Sequence, residues 1–183
     1  MRKRRIENEW QLLSELAALN PAAVEVLERG TGLEGEYFRL RLNKTSGPVL
    51  AERGIELRDS HLIEFRFPGF FPAVPIEAVL PQPVFHPNVD PDNGFVCLWE
   101  RVSPGGTVAE ALMRLQLVIV WELVNLTPDH MMQPSAAAWY PDVSRTVVLP
   151  CVFTPLVLPQ PMDYLANPRQ QSLRKRQRLF ELR

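Results

Sequence analysis

The first hydrophobic positions along the chain recur at a helical period. Ile6, Trp10, Leu13 and Ala17, with Leu16 beside them, fall on one face of a 3.6-residue turn, which predicts an N-terminal amphipathic helix. Asn20-Pro21 ends it, because the residue before a proline is pushed out of the helical region. Residues 24–28 fit a strand or a short second helix, and Gly30, Gly32 and Gly35 then punctuate a turn. The period changes to two at residues 37–42, where Phe38, Leu40 and Leu42 alternate with Tyr37, Arg39 and Arg41. It does so again at residues 61–67, where Ile63, Phe65 and Phe67 alternate with Leu62, Glu64 and Arg66. Both segments read as half-buried strands, and residues 76–80 as a further short one. Residues 43–59, with Gly47-Pro48 inside, read as a long polar connection.

From Phe67 to Pro91 prolines are dense, and each fixes φ and removes a donor, so this stretch is predicted as loops and edge strands. Thr107-x-x-Glu110 before an apolar run is a capping box. It predicts a helix over residues 108–126, apolar on most faces and therefore buried, stopped by Thr127-Pro128. Residues 136–140 fit one helical turn. Residues 147–161 are β-branched and proline-rich and read as extended, and the last residues as a basic helix. The organisation expected is a domain over 1–145 and an extension over 146–183.

A chain of 183 residues fits one domain and buries enough surface to fold without disulfides or metal. Eighteen prolines argue against a helical bundle. Net charge is −1, but the basic groups concentrate at the ends: Arg2, Lys3, Arg4 and Arg5 open the chain, and six more lie in 169–183. Basic ends on an acidic body suggest partner contacts there, with solvated tails as an equal alternative. No interleaved aromatics point to nucleic acid. The two cysteines, Cys97 and Cys151, make neither a disulfide framework nor a zinc site, so no metal or other cofactor is expected, and a reducing cytoplasm fits. No secretory leader is read at the start. The most apolar stretch is too short and too polar for a membrane span. Cys151, between apolar neighbours, reads as structural.

The chemically informative segment is Phe85-His86-Pro87-Asn88-Val89, a turn at Asp90-Pro91-Asp92-Asn93, then Gly94-Phe95-Val96-Cys97-Leu98. A proline-fixed corner and an Asp-Asn-Gly turn deliver one cysteine just ahead of a buried helix. A thiolate beside an amide donor is what acyl transfer requires, and a buried structural cysteine is the alternative. These residues resemble the ubiquitin-conjugating enzyme family: Phe71-Pro72-Ala73-Val74-Pro75, then His86-Pro87-Asn88, then Gly94-x-x-Cys97-Leu98, in the family's order over about residues 6–140.

The resemblance implies an α+β fold: a helix, a four-stranded antiparallel meander, an active-site loop, a buried central helix and, here, an irregular C-terminal extension. It implies that Cys97 takes the C-terminal carboxyl of a ubiquitin-like protein as a thioester and passes it to an amine of a target protein. Asn88 would donate to the oxyanion or hold the cysteine loop. His86, Pro87 and Gly94 would be structural. Asp129 would lower the pKa of the incoming amine, or His130 would act as a base, loop and cap roles being the alternative for both. The N-terminal helix with Arg2, Lys3, Arg4 and Arg5 would meet an activating enzyme. The tryptophan expected several residues after the cysteine is absent, Trp99 lying two residues after it, and the regular C-terminal helices are not visible. These departures look more like the divergent bacterial members, encoded beside an activating enzyme and a ubiquitin-like protein, with antiviral defence as a setting. Two other readings stand: a non-catalytic module of the same fold that binds a ubiquitin-like protein, and a cysteine hydrolase pairing Cys97 with His86 or His130, which needs a histidine about 3 Å from the thiol. Only three lysines against seventeen arginines keep amines scarce near a reactive thioester, although a GC-rich genome that favours arginine codons is the plainer reading.

Overall fold

The computed structural model describes residues 1–33, 35–52, 54–99, 105–146 and 151–159, with 141–146 as backbone alone. The N-terminal helix α1 (Arg2–Leu19) buries Ile6, Leu13 and Leu16 completely or nearly so, and Trp10 packs edge-on against Phe38 with ring centroids 5.0 Å apart. Residues 24–28 are strand: β1 (Val24–Gly32) pairs antiparallel with β2 (Gly35–Leu42), with a bulge between Val26 and Glu28. Next in space is β5 (His61–Phe67), then β6 (Glu77–Val79) and β7 (Phe95–Val96), giving one antiparallel sheet in the order β1-β2-β5-β6-β7. The period-two pattern holds residue for residue. Phe38, Leu40, Leu42, Ile63, Phe65 and Phe67 all face the core with no exposed surface. Their alternates carry a ladder of ion pairs on the outer face, Glu25 with Arg41, and Glu28 and Glu64 with Arg39. The two pairs exposed on both sides, Glu25–Arg41 and Glu28–Arg39, contribute about 0–1 kcal/mol each, so the sheet is held by its apolar face.

The polar connection expected at 43–59 is instead a hairpin, β3 (Gly47–Ala51) with β4 (Gly54–Arg58), forming its own two-stranded sheet. Its pattern is obscure because only one side touches the body. Val49 is buried, while Leu50, Ile55 and Leu57 are exposed. Gly47 lets the hairpin seat on the central helix, since a Cβ there would meet the Ile119 side chain at 2.5 Å. His61 ties the hairpin's base with Nε2 close to both the Thr45 and Arg58 carbonyls, at 3.0 and 2.9 Å.

The central helix α2 (Val108–Ile119) starts where the capping box predicts, the Thr107 hydroxyl accepting from the Glu110 N–H. It ends seven residues earlier than the apolar run suggests. Trp121 takes a left-handed φ of 64° and leaves the helix, so that its ring joins Phe85, His86, Trp139 and Tyr140 and its Nε1 donates to the Phe85 carbonyl. Burial of a large aromatic outweighs one more helical turn. A 3-10 turn (Pro128–His130) and α3 (Pro134–Thr146) follow, the latter longer than the single turn expected.

Residues 151–159 are extended, as read from the sequence, and lie across the body. The Ser46 N–H donates to the Val152 carbonyl, Gln116 Nε2 donates to the Thr154 carbonyl, and the Asn20 side chain clamps the backbone of Val157 from both sides. The C-terminal basic helix expected within 160–183 lies outside the described residues. Among the described residues, no helix is long and apolar enough to cross a membrane.

One buried carboxylate fixes α1 against α2. Glu9 is 2% exposed, accepts from the Val108 N–H at 2.7 Å, and lies 2.7 Å from Arg5 Nε as an ion pair short of hydrogen-bond alignment. Burial raises its carboxyl pKa, and the Val108 N–H and Arg5 offset this in part. The folded state therefore holds the Glu9 proton more tightly than the unfolded chain, and that share of stability is lost as pH rises through the raised value. Glu9→Ala strands the Val108 N–H and the Arg5 charge and is expected to lower unfolding free energy by about 2–4 kcal/mol, measured by denaturant titration. A change within about 0.5 kcal/mol would contradict this account.

Candidate active site

Cys97 is placed by two turns that the sequence specifies locally. In the first, Asp90 Oδ1 accepts from the Asp92 N–H at 2.8 Å and Asn93 Oδ1 accepts from the Phe95 N–H at 2.7 Å, so the Asp-Asn-Gly run closes on itself. Gly94 has φ of 74°, and a Cβ there would lie 2.0 Å from the Leu80 carbonyl oxygen. No other residue fits, because the left-handed backbone and the close approach coincide. In the second, the Cys97 N–H donates to the Asn88 carbonyl at 2.9 Å. The cysteine backbone is thus bonded directly to the asparagine of His86-Pro87-Asn88.

His86 is fully buried and stacks edge-on against Trp121 at 5.1 Å. Its Nδ1 accepts from the Asn88 N–H at 3.0 Å, and its own N–H donates to Gln133 Oε1 at 2.9 Å. The Pro87 carbonyl accepts from the Met132 and Gln133 N–H groups. Burial pulls the His86 pKa down to about 3, with only the Leu123 backbone opposing, so the ring is neutral and packs within its own corner.

The Asn88 side chain is 2% exposed and every part of its amide is bonded. Nδ2 donates to the Asn125 carbonyl at 2.6 Å and to the His130 carbonyl at 2.9 Å, while Oδ1 accepts from the Asn125 N–H at 2.8 Å. A donation from Nδ2 to an oxyanion would require release of one of these bonds. In the sequence Asn125 reads only as a polar interruption near the end of the apolar run. In fact its Oδ1 accepts from both the Thr127 N–H and the Thr127 hydroxyl, shaping the approach to the 3-10 turn.

That turn carries the imidazole to the thiol. Cys97 Sγ lies 2.9 Å from His130 Nδ1, and both residues are half-buried. Burial raises the thiol pKa of Cys97, and the thiol lies at hydrogen-bonding distance from the ring nitrogen. Asp129 is exposed and makes no hydrogen bond or ion pair among the described residues. The arrangement suits nucleophilic attack by sulfur with a base at hydrogen-bonding distance. Trp99 turns toward the core, with Nε1 donating to the Ile76 carbonyl and Arg114 over its ring. Cys151 is half-buried, its thiol raised by burial, and among the described residues it has no hydrogen-bond partner. Among those residues no group of histidine, cysteine, aspartate and glutamate is gathered to hold a metal.

Of the four basic residues at the N-terminus, two are tied into the fold. Arg2 donates to the Phe67 and Pro68 carbonyls and pairs with Glu36, and Arg5 reaches the Gly105 and Gly106 carbonyls and Glu9. Lys3 and Arg4 are exposed.

The unfolded chain protonates His86 at the ordinary histidine pKa of about 6.5. The folded chain does so only at about 3. Stability present above the upper value is lost as pH falls through this window, by at most about 1.4 kcal/mol per pH unit for one histidine. His61, also lowered by burial, adds in the same direction. His86→Gln is expected to flatten the slope of unfolding free energy against pH between about 6 and 4. An unchanged slope would mean that His86 titrates freely in the native state.

No protein-family profile matches the chain, and no curated protein matches it. Solved structures do. One, assigned as a ubiquitin conjugating enzyme from Plasmodium yoelii, superposes with a TM-score of 0.52 at 17% identity, covering 77% of this chain and 86% of that one. A ubiquitin conjugating enzyme assigned in Trypanosoma cruzi gives 0.55 at 17% identity, covering 78% and 91%. The chain has the ubiquitin-conjugating fold, with the β3–β4 hairpin inserted in its meander.

Proposed function

We propose that this chain is a carrier enzyme that accepts a ubiquitin-like protein from an activating enzyme as a thioester on Cys97 and passes it to an amine of a target protein. The observation that carries the reading is the position of Cys97. In a ubiquitin-conjugating fold, the single half-buried thiol that follows the His86-Pro87-Asn88 corner is backbone-bonded to that corner and has a base 2.9 Å away. Asn88 holds the loop that carries His130, and His130 takes the thiol proton as sulfur attacks the incoming thioester. The C-terminal strap and the scarcity of lysine agree with a divergent bacterial conjugation system acting in the cytoplasm, with antiviral defence as its setting.

Incubation with ATP and with the activating enzyme and ubiquitin-like protein encoded beside the gene is expected to give a band shift that thiol reductant removes and Cys97→Ala abolishes. Binding without a shift would support a non-catalytic module. The contact between Cys97 and His130 also favours a second reading, a cysteine hydrolase. That reading lacks an orienting partner for His130 Nε2 among the described residues, and it predicts release of free carboxyl with no thioester that accumulates.

Lys3 and Arg4 are the exposed basic pair that would meet an acidic partner surface. Reversal of both to Glu is expected to slow loading about tenfold or more at low salt and much less at high salt, with the melting temperature unchanged. Reversal of Arg2 and Arg5 is expected instead to lower the melting temperature. Equal loading by the Lys3/Arg4 variant at low salt would remove this surface from the docking site.

A further inference from the structure

We propose that the carrier transfers its cargo to hydroxyl groups as well as to amines, with His130 as the general base for the attacking oxygen. This rests on the thioester reading of Cys97 and extends its acceptor class.

The argument begins with what becomes free on acylation. In the resting protein His130 Nδ1 faces the Cys97 thiol at 2.9 Å. Once the sulfur carries an acyl group it has no proton to share, and Nδ1 is left as an open acceptor beside the thioester. A nucleophile approaching the carbonyl carbon bonded to that sulfur comes within reach of the same nitrogen. The base does not have to be recruited. The His130 carbonyl is held by Asn88 Nδ2 at 2.9 Å, its N–H donates to the Thr127 carbonyl at 3.0 Å, and Thr127 is in turn fixed by Asn125.

The identity of the group decides the acceptor. A lysine amine, with an ordinary pKa of about 10.4, loses its ammonium proton before it attacks, and a site that desolvates the ammonium suffices to lower that pKa. A hydroxyl has to surrender its proton as the new bond forms, which calls for a base in contact. In this site the contact position holds an imidazole, and the neighbouring carboxylate, Asp129, is exposed and unpaired among the described residues. In the transfer step the hydroxyl oxygen bonds to the thioester carbonyl carbon as its proton passes to His130 Nδ1. The tetrahedral intermediate collapses, the carbon–sulfur bond breaks, and the Cys97 thiolate regains the proton from the imidazolium. The product is an oxygen ester and the free enzyme.

The test supplies the acyl group chemically, so that no partner protein is needed. The full chain is treated with the mercaptoethanesulfonate thioester of acetyl-Gly-Gly, and acylation of Cys97 is followed by intact mass, with Cys97→Ala as control. The loaded protein then receives either N-acetylserine amide or Nα-acetyllysine amide. Products are quantified by mass spectrometry, hydroxylamine cleaving the ester and sparing the amide. Wild type is expected to yield the serine ester. His130→Gln is expected to lower the rate of its formation at least about hundredfold and that of the lysine amide less than tenfold, general-base contributions being about 10²–10⁴-fold. Added imidazole is expected to restore part of the serine rate to His130→Ala, which a merely structural role would not allow. Failure of wild type to load on Cys97 would sink the carrier reading and this proposal together. Loading followed by lysine amide alone, or by hydrolysis alone, would overturn the hydroxyl proposal while leaving Cys97 as the acylated residue. So would a serine rate in His130→Gln equal to that of wild type.

Discussion

The site depends on one buried amide. Asn88 sits between two segments that the chain brings together from far apart, the corner ahead of the cysteine and the loop after the central helix. Its side chain spends both donors and an acceptor on the second segment, while its backbone carbonyl holds the Cys97 N–H in the first. A buried amide left without such partners costs about 1–3 kcal/mol, so the two segments are locked in register or the side chain is expelled. Every distance in the site follows from that choice, the approach of His130 to Cys97 included.

The rest of the fold keeps those segments in place. The sheet's apolar face and α1 enclose α2, whose start is fixed twice, by the Thr107 cap and by Glu9 from α1. Its other end is fixed by Trp121, which leaves the helix to enter the aromatic group around Phe85 and so directs the chain toward Asn125. The strap over 151–159 closes the opposite side. Gln116, buried in α2, bonds to both Thr45 and Thr154, joining helix, hairpin base and strap. These polar bonds are few, but they lie where the chain changes direction, and they convert a generic apolar core into one particular arrangement of loops.

The two histidines near the site differ in what surrounds them. His86 is sealed behind Trp121 and held neutral by burial, so it serves as a spacer with one acceptor. His130 is half-buried on a turn and presents a ring nitrogen to sulfur. Burial raises the thiol pKa, and among the described residues this imidazole is the side chain at hydrogen-bonding distance from it. In the proposed carrier, the proton that leaves the sulfur would pass to His130.

Local pattern in the sequence determined the N-terminal helix, the β2 and β5 strands with their inward residues, the helix cap at Thr107, and the loop from Asp90 to Cys97. Each depends on neighbours a few residues away: alternation, a capping hydroxyl, a glycine with positive φ. Tertiary structure decided what depends on distant neighbours. The β3–β4 hairpin showed no core pattern because one of its faces is exposed. The central helix ended early because Trp121 gains more from Phe85 and Trp139 than from another turn. Asn125 carried no signal, since its role exists only where Asn88 meets it. The pairing of Cys97 with His130, open in the sequence beside Asp129, was settled by the bonds that draw residue 130 across thirty-three positions to the sulfur. Spacing along a chain fixes which residues share a turn or a face, but only packing fixes which of two neighbours on a loop points inward.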